Sequence, residues 1–255
     1  MTSDDELAAV LGHEIGHIEK RHTVHQMEQQ MALSLLTLLA GVASGDPGAG
    51  MVLASTASQA LLAGYSRKDE READQEGFRL SNLAGYNPYG SYVTMAKLED
   101  MSKDMGNPGY GLFASHPEPE VRMAKALKWT EPLKIPEKVT VKTDGTAAVS
   151  LGDWSFPITE TAGYDKPEYR ARLMAGALYL AWKRGNLDES NFMTVDGDRW
   201  SDVYYEDIRV LRVYPQDNQE NGNTGELALK IAARLQAWAK IARQQPAPQT
   251  APPVP

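Results

Sequence analysis

His13-Glu14-Ile15-Gly16-His17 places two imidazoles and a carboxylate at a spacing that suits one kind of reaction. On an α-helix, His13 and His17 stand one turn apart on the same face, so both rings can reach a single metal ion. Glu14 lies between them, where a carboxylate can take a proton from a metal-bound water. The implied chemistry is zinc-dependent hydrolysis of a peptide bond. Such a site takes a third protein ligand and leaves a fourth position open. The run Ser66-Arg67-Lys68-Asp69-Glu70-Arg71-Glu72-Ala73-Asp74 offers that ligand, because Glu70 and Asp74 are four apart and share a helix face. One can bind the metal while the other orients a ligand histidine through its free ring nitrogen. Glu72 is turned about 200° from Glu70 on such a helix and is expected in solvent. A charged surface helix would read the same way over 66–76, so spacing alone does not choose.

The first motif needs a helix, and the flanking residues supply one. Ser3 followed by Glu6 is a capping-box signature at a helix start. Leu7, Val10, Leu11, Ile15 and Ile18 recur at helical spacing and predict a buried stripe bordered by the His-Glu-His set. Gly12 and Gly16, one turn apart, would let a second element approach closely, although each weakens the helix by about 1 kcal/mol relative to Ala. His22 and His25 read as structural, with His22 off the metal-facing side and hydrogen-bonded locally.

Four blocks in order now resemble a known family. They are Asp5 to His17 continuing to Arg21-His22, then Ser66-Arg67 with Glu70 and Ala73-Asp74, then Ala84-Gly85-Tyr86-Asn87-Pro88, and last Ser115-His116-Pro117 with Arg122. The run resembles the HtpX and CAAX-prenyl-protease type gluzincins, metallopeptidase family forty-eight, in their soluble periplasmic BepA/LoiP-like branch. The resemblance covers about residues 4–129. It implies one zinc ion held by His13, His17 and Glu70, with Asp74 as the outer partner of a ligand histidine. It implies Glu14 as the general base, and His116 and Arg122 as groups that stabilise the oxyanion. In the BepA-like branch the residue matching His116 can instead occupy the open metal position and hold the enzyme latent. Prolines at 117 and 119 suit a helix start just after His116. The family's sheet strands precede the zinc helix, so a chain starting at Met1 is expected to lack them. The resemblance further implies unfolded or misassembled envelope proteins as substrates, a quality-control role, and a periplasmic or envelope location.

Composition is consistent with this reading. The 255 residues can hold two modest domains, and 42% hydrophobic content is ordinary for a globular protein. A net charge of −8 with no Lys/Arg block makes nucleic acid an unexpected partner. The absence of cysteine excludes thiolate metal sites and disulfides. Between the ligand segments, Met31 to Ala43 and Met51 to Ala63 form two apolar arms around Gly45-Asp46-Pro47-Gly48. Each is too short to span a bilayer, which takes about 20 apolar residues. The expected arrangement is a buried helical hairpin; a second reading has residues 31–63 exposed, as a peripheral contact for a membrane or a partner.

The predicted architecture is α+β: a mainly helical zincin-like metalloprotease domain over 1–129, a linker over 130–138, and a small α+β domain over 139–243. Val139–Val141 and Ala147–Val149 around Asp144-Gly145 predict a hairpin, with a third strand over Trp154–Ile158. Pro167–Arg184 reads as a helix stopped by Gly185, and strands follow near Phe192–Val195 and Ile208–Val213. Leu227–Arg243 reads as the last helix, and the Pro/Ala/Gln-rich tail over 244–255 as disordered. Asp196-Gly197-Asp198 reads as a turn and not a calcium loop, for want of further ligands. Four tryptophans beyond Trp129 read as core. The function that fits is zinc metalloendopeptidase. The alternatives are a latent or non-proteolytic zinc-binding scaffold or chaperone-like module, and a purely structural zinc site.

Overall fold

The computed structural model of the chain describes residues 3–44, 66–106 and 119–246. The helices are α1 (Asp4–Glu19), α2 (His22–Ser44), α3 (Arg67–Leu83), α4 (Gly90–Asp104), α5 (Pro119–Thr130), α6 (Pro167–Lys183) and α7 (Thr224–Ala242). Two antiparallel three-stranded sheets accompany them. One is ordered β1 (Lys138–Val141), β2 (Ala147–Leu151), β3 (Trp154–Ile158), and the other β4 (Phe192–Asp196), β5 (Ser201–Tyr205), β6 (Ile208–Val213). The α+β class and the helical first half agree with the sequence reading.

α1 starts where the cap predicts, with Ser3 Oγ accepting from the Glu6 backbone N–H at 3.2 Å. The stripe expected to be buried is on the outside. Leu7, Leu11, Ile15 and Ile18 are 46% to 75% exposed, and the covered side is Glu6, Ala9, Gly12, His13, Gly16 and His17. The cause is the close approach of α3. A Cβ on Gly12 would sit 2.8 Å from the Gly77 carbonyl oxygen, and one on Gly16 2.7 Å from that of Ala73. Backbone against backbone is possible only on the glycine side, which lies opposite the apolar stripe around the helix.

The first apolar arm also differs from the expected buried hairpin. In α2, Met31, Leu35, Leu36, Leu38 and Leu39 are exposed, and among the described residues the helix meets α1 and, through His22, α3. The second arm, 51–63, lies outside the described residues, as do His116 and the tail from 247. No described helix is long and apolar enough to cross a membrane.

The second half is built around α6. Its Ala171, Met174, Ala175, Leu178, Tyr179 and Ala181 are fully or almost fully buried, as expected of a helix covered on most sides. It packs on β2 and β6, and α7 packs on β4 and β5. β2 and β3 alternate buried and outward residues, so each has one core face. Trp154, Trp182 and Trp238 are core residues, as expected, whereas Trp200 is only half-buried, with the Arg212 guanidinium over its ring. Asp196 to Trp200 forms the predicted turn, the Gly197 N–H donating to the Trp200 carbonyl at 2.8 Å. β5 was not foreseen. Its burial runs almost unbroken and leaves no period-2 signal.

The two halves share one core. Phe78 of α3 and Tyr89 belong to the same cluster of buried side chains as the sheets and α6. Residues 130–138, expected as a linker, send Leu133 and Glu137 into it. Asn87 is a fastening point. Its backbone N–H donates to Asp5 Oδ1 at 2.9 Å, and its Nδ2 donates to the Leu173 carbonyl of α6 at 2.7 Å. The side chain occupies the space where a Cβ on Gly176 would stand.

Candidate metal centre

α1 presents His13 and His17 on its covered face, and α3 presents Glu70 and Asp74 on the facing side. α3 is set in register by a complete capping box, Ser66 Oγ accepting from the Asp69 N–H and Asp69 Oδ2 from the Ser66 N–H. His13 Nε2 lies 3.1 Å from His17 Nε2. His17 Nε2 is 3.2 Å from Glu70 Oε1, and His13 Nε2 is 3.6 Å from Glu70 Oε2. All three side chains are buried.

These separations pass a simple test. Ligand atoms about 2.1 Å from a tetrahedral ion stand roughly 3.4 Å apart. The measured separations bracket that value, the two to Glu70 ending on its two different oxygens, and one ligand atom from each residue lies within 4.8 Å of the others. Two neutral imidazoles and a carboxylate are also a ligand set that suits zinc. His13, His17 and Glu70 could therefore hold one metal ion.

Around this triangle the polar contacts are dense. Asp74 Oδ1 lies 2.9 Å from His13 Nδ1, the nitrogen turned away from the triangle. Arg122, from α5, closes the back of the site. Its Nε and Nη2 donate to the two oxygens of Asp74 at 2.7 and 2.6 Å, and its Nη1 is 2.9 Å from Glu70 Oε2. Burial by itself would push the Asp74 carboxyl up; hydrogen bonds from Arg122 and His13 outweigh it and hold the group below the ordinary carboxylate range. Burial likewise opposes the Arg122 charge, yet Asp74, Glu70 and Glu14 together raise it above the ordinary arginine value.

Glu14 is exposed and looks into a cleft that it lines with His13, Asp74 and Arg122. Val10, Thr94, Met95 and Leu98 supply the mostly apolar remainder of that cleft. The structure thus gathers His13, Glu14, His17, Glu70, Asp74 and Arg122 in one place, while His116 lies outside the described residues.

Two polar arrangements escaped the sequence reading. Glu72, expected in solvent, is only half exposed and lies 3.3 Å from His22 Nε2, while His22 Nδ1 is 2.9 Å from His17 Nδ1. Glu6, legible only as a cap residue, is wholly buried and 2.7 Å from Lys97 Nζ, which also pairs with Asp165. No sequence spacing links residues 91 apart, so nothing local could have signalled that pair.

Residues 1–130 match the profile of Peptidase family M48. The chain is similar to the beta-barrel assembly-enhancing protease of Yersinia pestis, at 32% identity over 141 residues, 52% of this chain and 29% of that protein. It is similar to Metalloprotease YcaL of Escherichia coli (strain K12), at 32% identity over 135 residues, 50% of each. Metalloprotease LoiP of the same strain is 28% identical over 122 residues, 46% of each. The chain thus spans less than a third of the first relative and about half of the other two. No solved structure matches it.

Proposed function

Since the chain belongs to Peptidase family M48, we propose that it is a zinc-dependent metalloendopeptidase whose single ion is held by His13, His17 and Glu70. One observation carries this reading: the three donor groups converge to within 3.6 Å of one another from two helices, Glu70 standing 53 and 57 residues from His17 and His13. Zinc bound there supplies a Lewis acid that polarises a carbonyl and lowers the pKa of water from about 15.7 toward about 7.

The chain's own residues do the rest. Glu14, exposed at the cleft beside His13, takes the proton of the attacking water and returns it to the departing amine. Asp74 accepts from His13 Nδ1 and so turns His13 Nε2 toward the ligand triangle. Arg122 holds Asp74 and Glu70 in place and carries positive charge at the wall of the cleft, where the oxyanion develops. His116 joins it in that role or obstructs the metal position. The apolar wall of Val10, Met95 and Leu98 receives a side chain of the substrate.

The biological setting belongs to the same reading. Envelope proteins are the proposed substrates, in quality control at the periplasm, a reading supported by likeness to a protease named for enhancing beta-barrel assembly. The exposed apolar side of α2 supports peripheral membrane contact through residues 31–63. Cell fractionation checks both, and recovery in the cytosol would reject them. The division into a peptidase part, 1–129, and an α+β part, 139–243, is part of the proposal, with the second part docking substrate or partner.

The deciding experiment is hydrolysis of unfolded casein by the zinc-loaded chain and by its Glu14→Gln variant. The variant should keep zinc and lose activity by about 10³-fold, within the range for a lost general base. A zinc-loaded wild type no more active than Glu14→Gln would reject proteolysis and leave a zinc-binding scaffold.

A further inference from the structure

We propose that His22 is a positioning residue for the metal centre, one that sets which ring nitrogen of His17 carries the proton. The inference rests on the assignment of His13, His17 and Glu70 as ligands. His17 turns Nε2 toward His13 and Glu70. For Nε2 to offer a lone pair there, the proton of the neutral ring must sit on Nδ1. That nitrogen faces His22 Nδ1 at 2.9 Å, with both rings buried and inclined at 75°.

Two ring nitrogens at this distance share one proton, so one donates and the other accepts. If His17 donates, His22 Nδ1 accepts and the His22 proton lies on Nε2. There it meets Glu72 Oε2 at 3.3 Å and, farther off, Asp69 Oδ1 at 3.8 Å, both acceptors. The opposite arrangement puts the His17 proton on Nε2, inside the ligand triangle, and turns a His22 lone pair toward two carboxylates. Electrostatics selects the first. Glu72 and Asp69 therefore orient His22, and His22 orients His17 as Asp74 orients His13.

The backbone is arranged to make the contact. Between α1 and α2, Arg21 adopts a left-handed conformation with φ of 57°. That is costly for a residue other than glycine. The turn sets the first residue of α2 against His17, in the last turn of α1.

Zinc affinity, measured by competition with a chromophoric chelator, tests this on wild type, His13→Ala, His22→Ala, His22→Asn and Glu72→Ala. His22→Ala should weaken zinc binding about 10- to 100-fold. His22→Asn, whose side-chain oxygen can accept from His17 Nδ1, should recover most of the loss. Glu72→Ala, at a half-exposed site that folding tolerates, should weaken binding by a smaller factor. Nitrogen-15 correlation spectra of the zinc-loaded wild type should show His17 protonated at Nδ1 and His22 at Nε2. The proposal is overturned if His22→Ala folds and binds zinc within twofold of wild type, or if His22→Asn is no better than His22→Ala. Should His22→Ala fail to fold, Glu72→Ala and the spectra decide. If His13→Ala binds as tightly as wild type, the ligand assignment itself fails and this inference falls with it.

Discussion

Arg122 shows how much one side chain can hold together. It is buried, and its guanidinium spans Asp74 and Glu70 from a helix that contributes no ligand. Removing it leaves two buried carboxylates without that cation, a change that typically costs about 3–5 kcal/mol. Arg122→Ala should lose that much stability in urea unfolding of the metal-free protein, and a loss below about 1 kcal/mol would contradict the ion-pair account. His13, Glu14 and His17 were legible as a set because helical spacing fixes which side chains share a face; Glu70 was legible as the third ligand only through family likeness. Asp74 was legible as a member of the Glu70 face, its role only through family likeness. The Arg122 partnership was not legible, since 48 residues separate it from Asp74 and only packing brings them together. His22, expected to bond locally off the metal-facing side, does bond locally, and its partner is the outer ring nitrogen of His17; the spacing did not single out that partner, because it depends on the turn at Arg21.

At the scale of elements, the site depends on how closely α1 and α3 approach. Gly12 and Gly16 of α1 meet Gly77 and Ala73 of α3 at distances that no β-carbon permits, and Glu70 rides on α3 one turn from Ala73. Gly16→Ala forces the helices apart and should destabilise the fold by about 1–3 kcal/mol, the usual cost of overpacking. Because the proposed ligands come from both helices, zinc affinity should fall with it. A Gly16→Ala protein with unchanged melting and unchanged zinc affinity would show that the contact is not what sets the site. The glycine pair was readable as a point of close approach. The apolar stripe was misread because periodicity finds a face and does not say which face a neighbour covers. The secondary elements fared well wherever they carried a local signature: the cap of α1, the turn at Gly145, the Pro167 start and Gly185 stop of α6. β5, flanked by strands on both sides, carried none.

At the scale of the whole molecule, the shared core makes the second half a structural partner of the first. Glu137, on the stretch between them, is buried and accepts from Trp238 Nε1 at 3.0 Å. Burial pushes its carboxyl from the ordinary 4.5 up to about 7. The folded chain thus keeps this proton to higher pH than the unfolded chain does. Its contribution to stability falls as pH rises from about 4.5 to about 7, and is flat above. Glu137→Gln should remove that slope and raise stability at pH 8 by up to about 3 kcal/mol, with little gain at pH 4.5. Urea unfolding at both pH values checks it, and equal differences at the two would refute it. The class of this protein's chemistry was legible in the sequence, because the spacing of His13, Glu14 and His17 on one helix turn is a local property. So were its α+β class and most helix and strand positions. Tertiary structure decided which face of α1 is covered, that Arg122 bridges Asp74 and Glu70, and that 130–138 sends Leu133 and Glu137 into the core. Those choices depend on residues far apart in the chain, and free energies of burial and pairing between them leave no mark on local spacing.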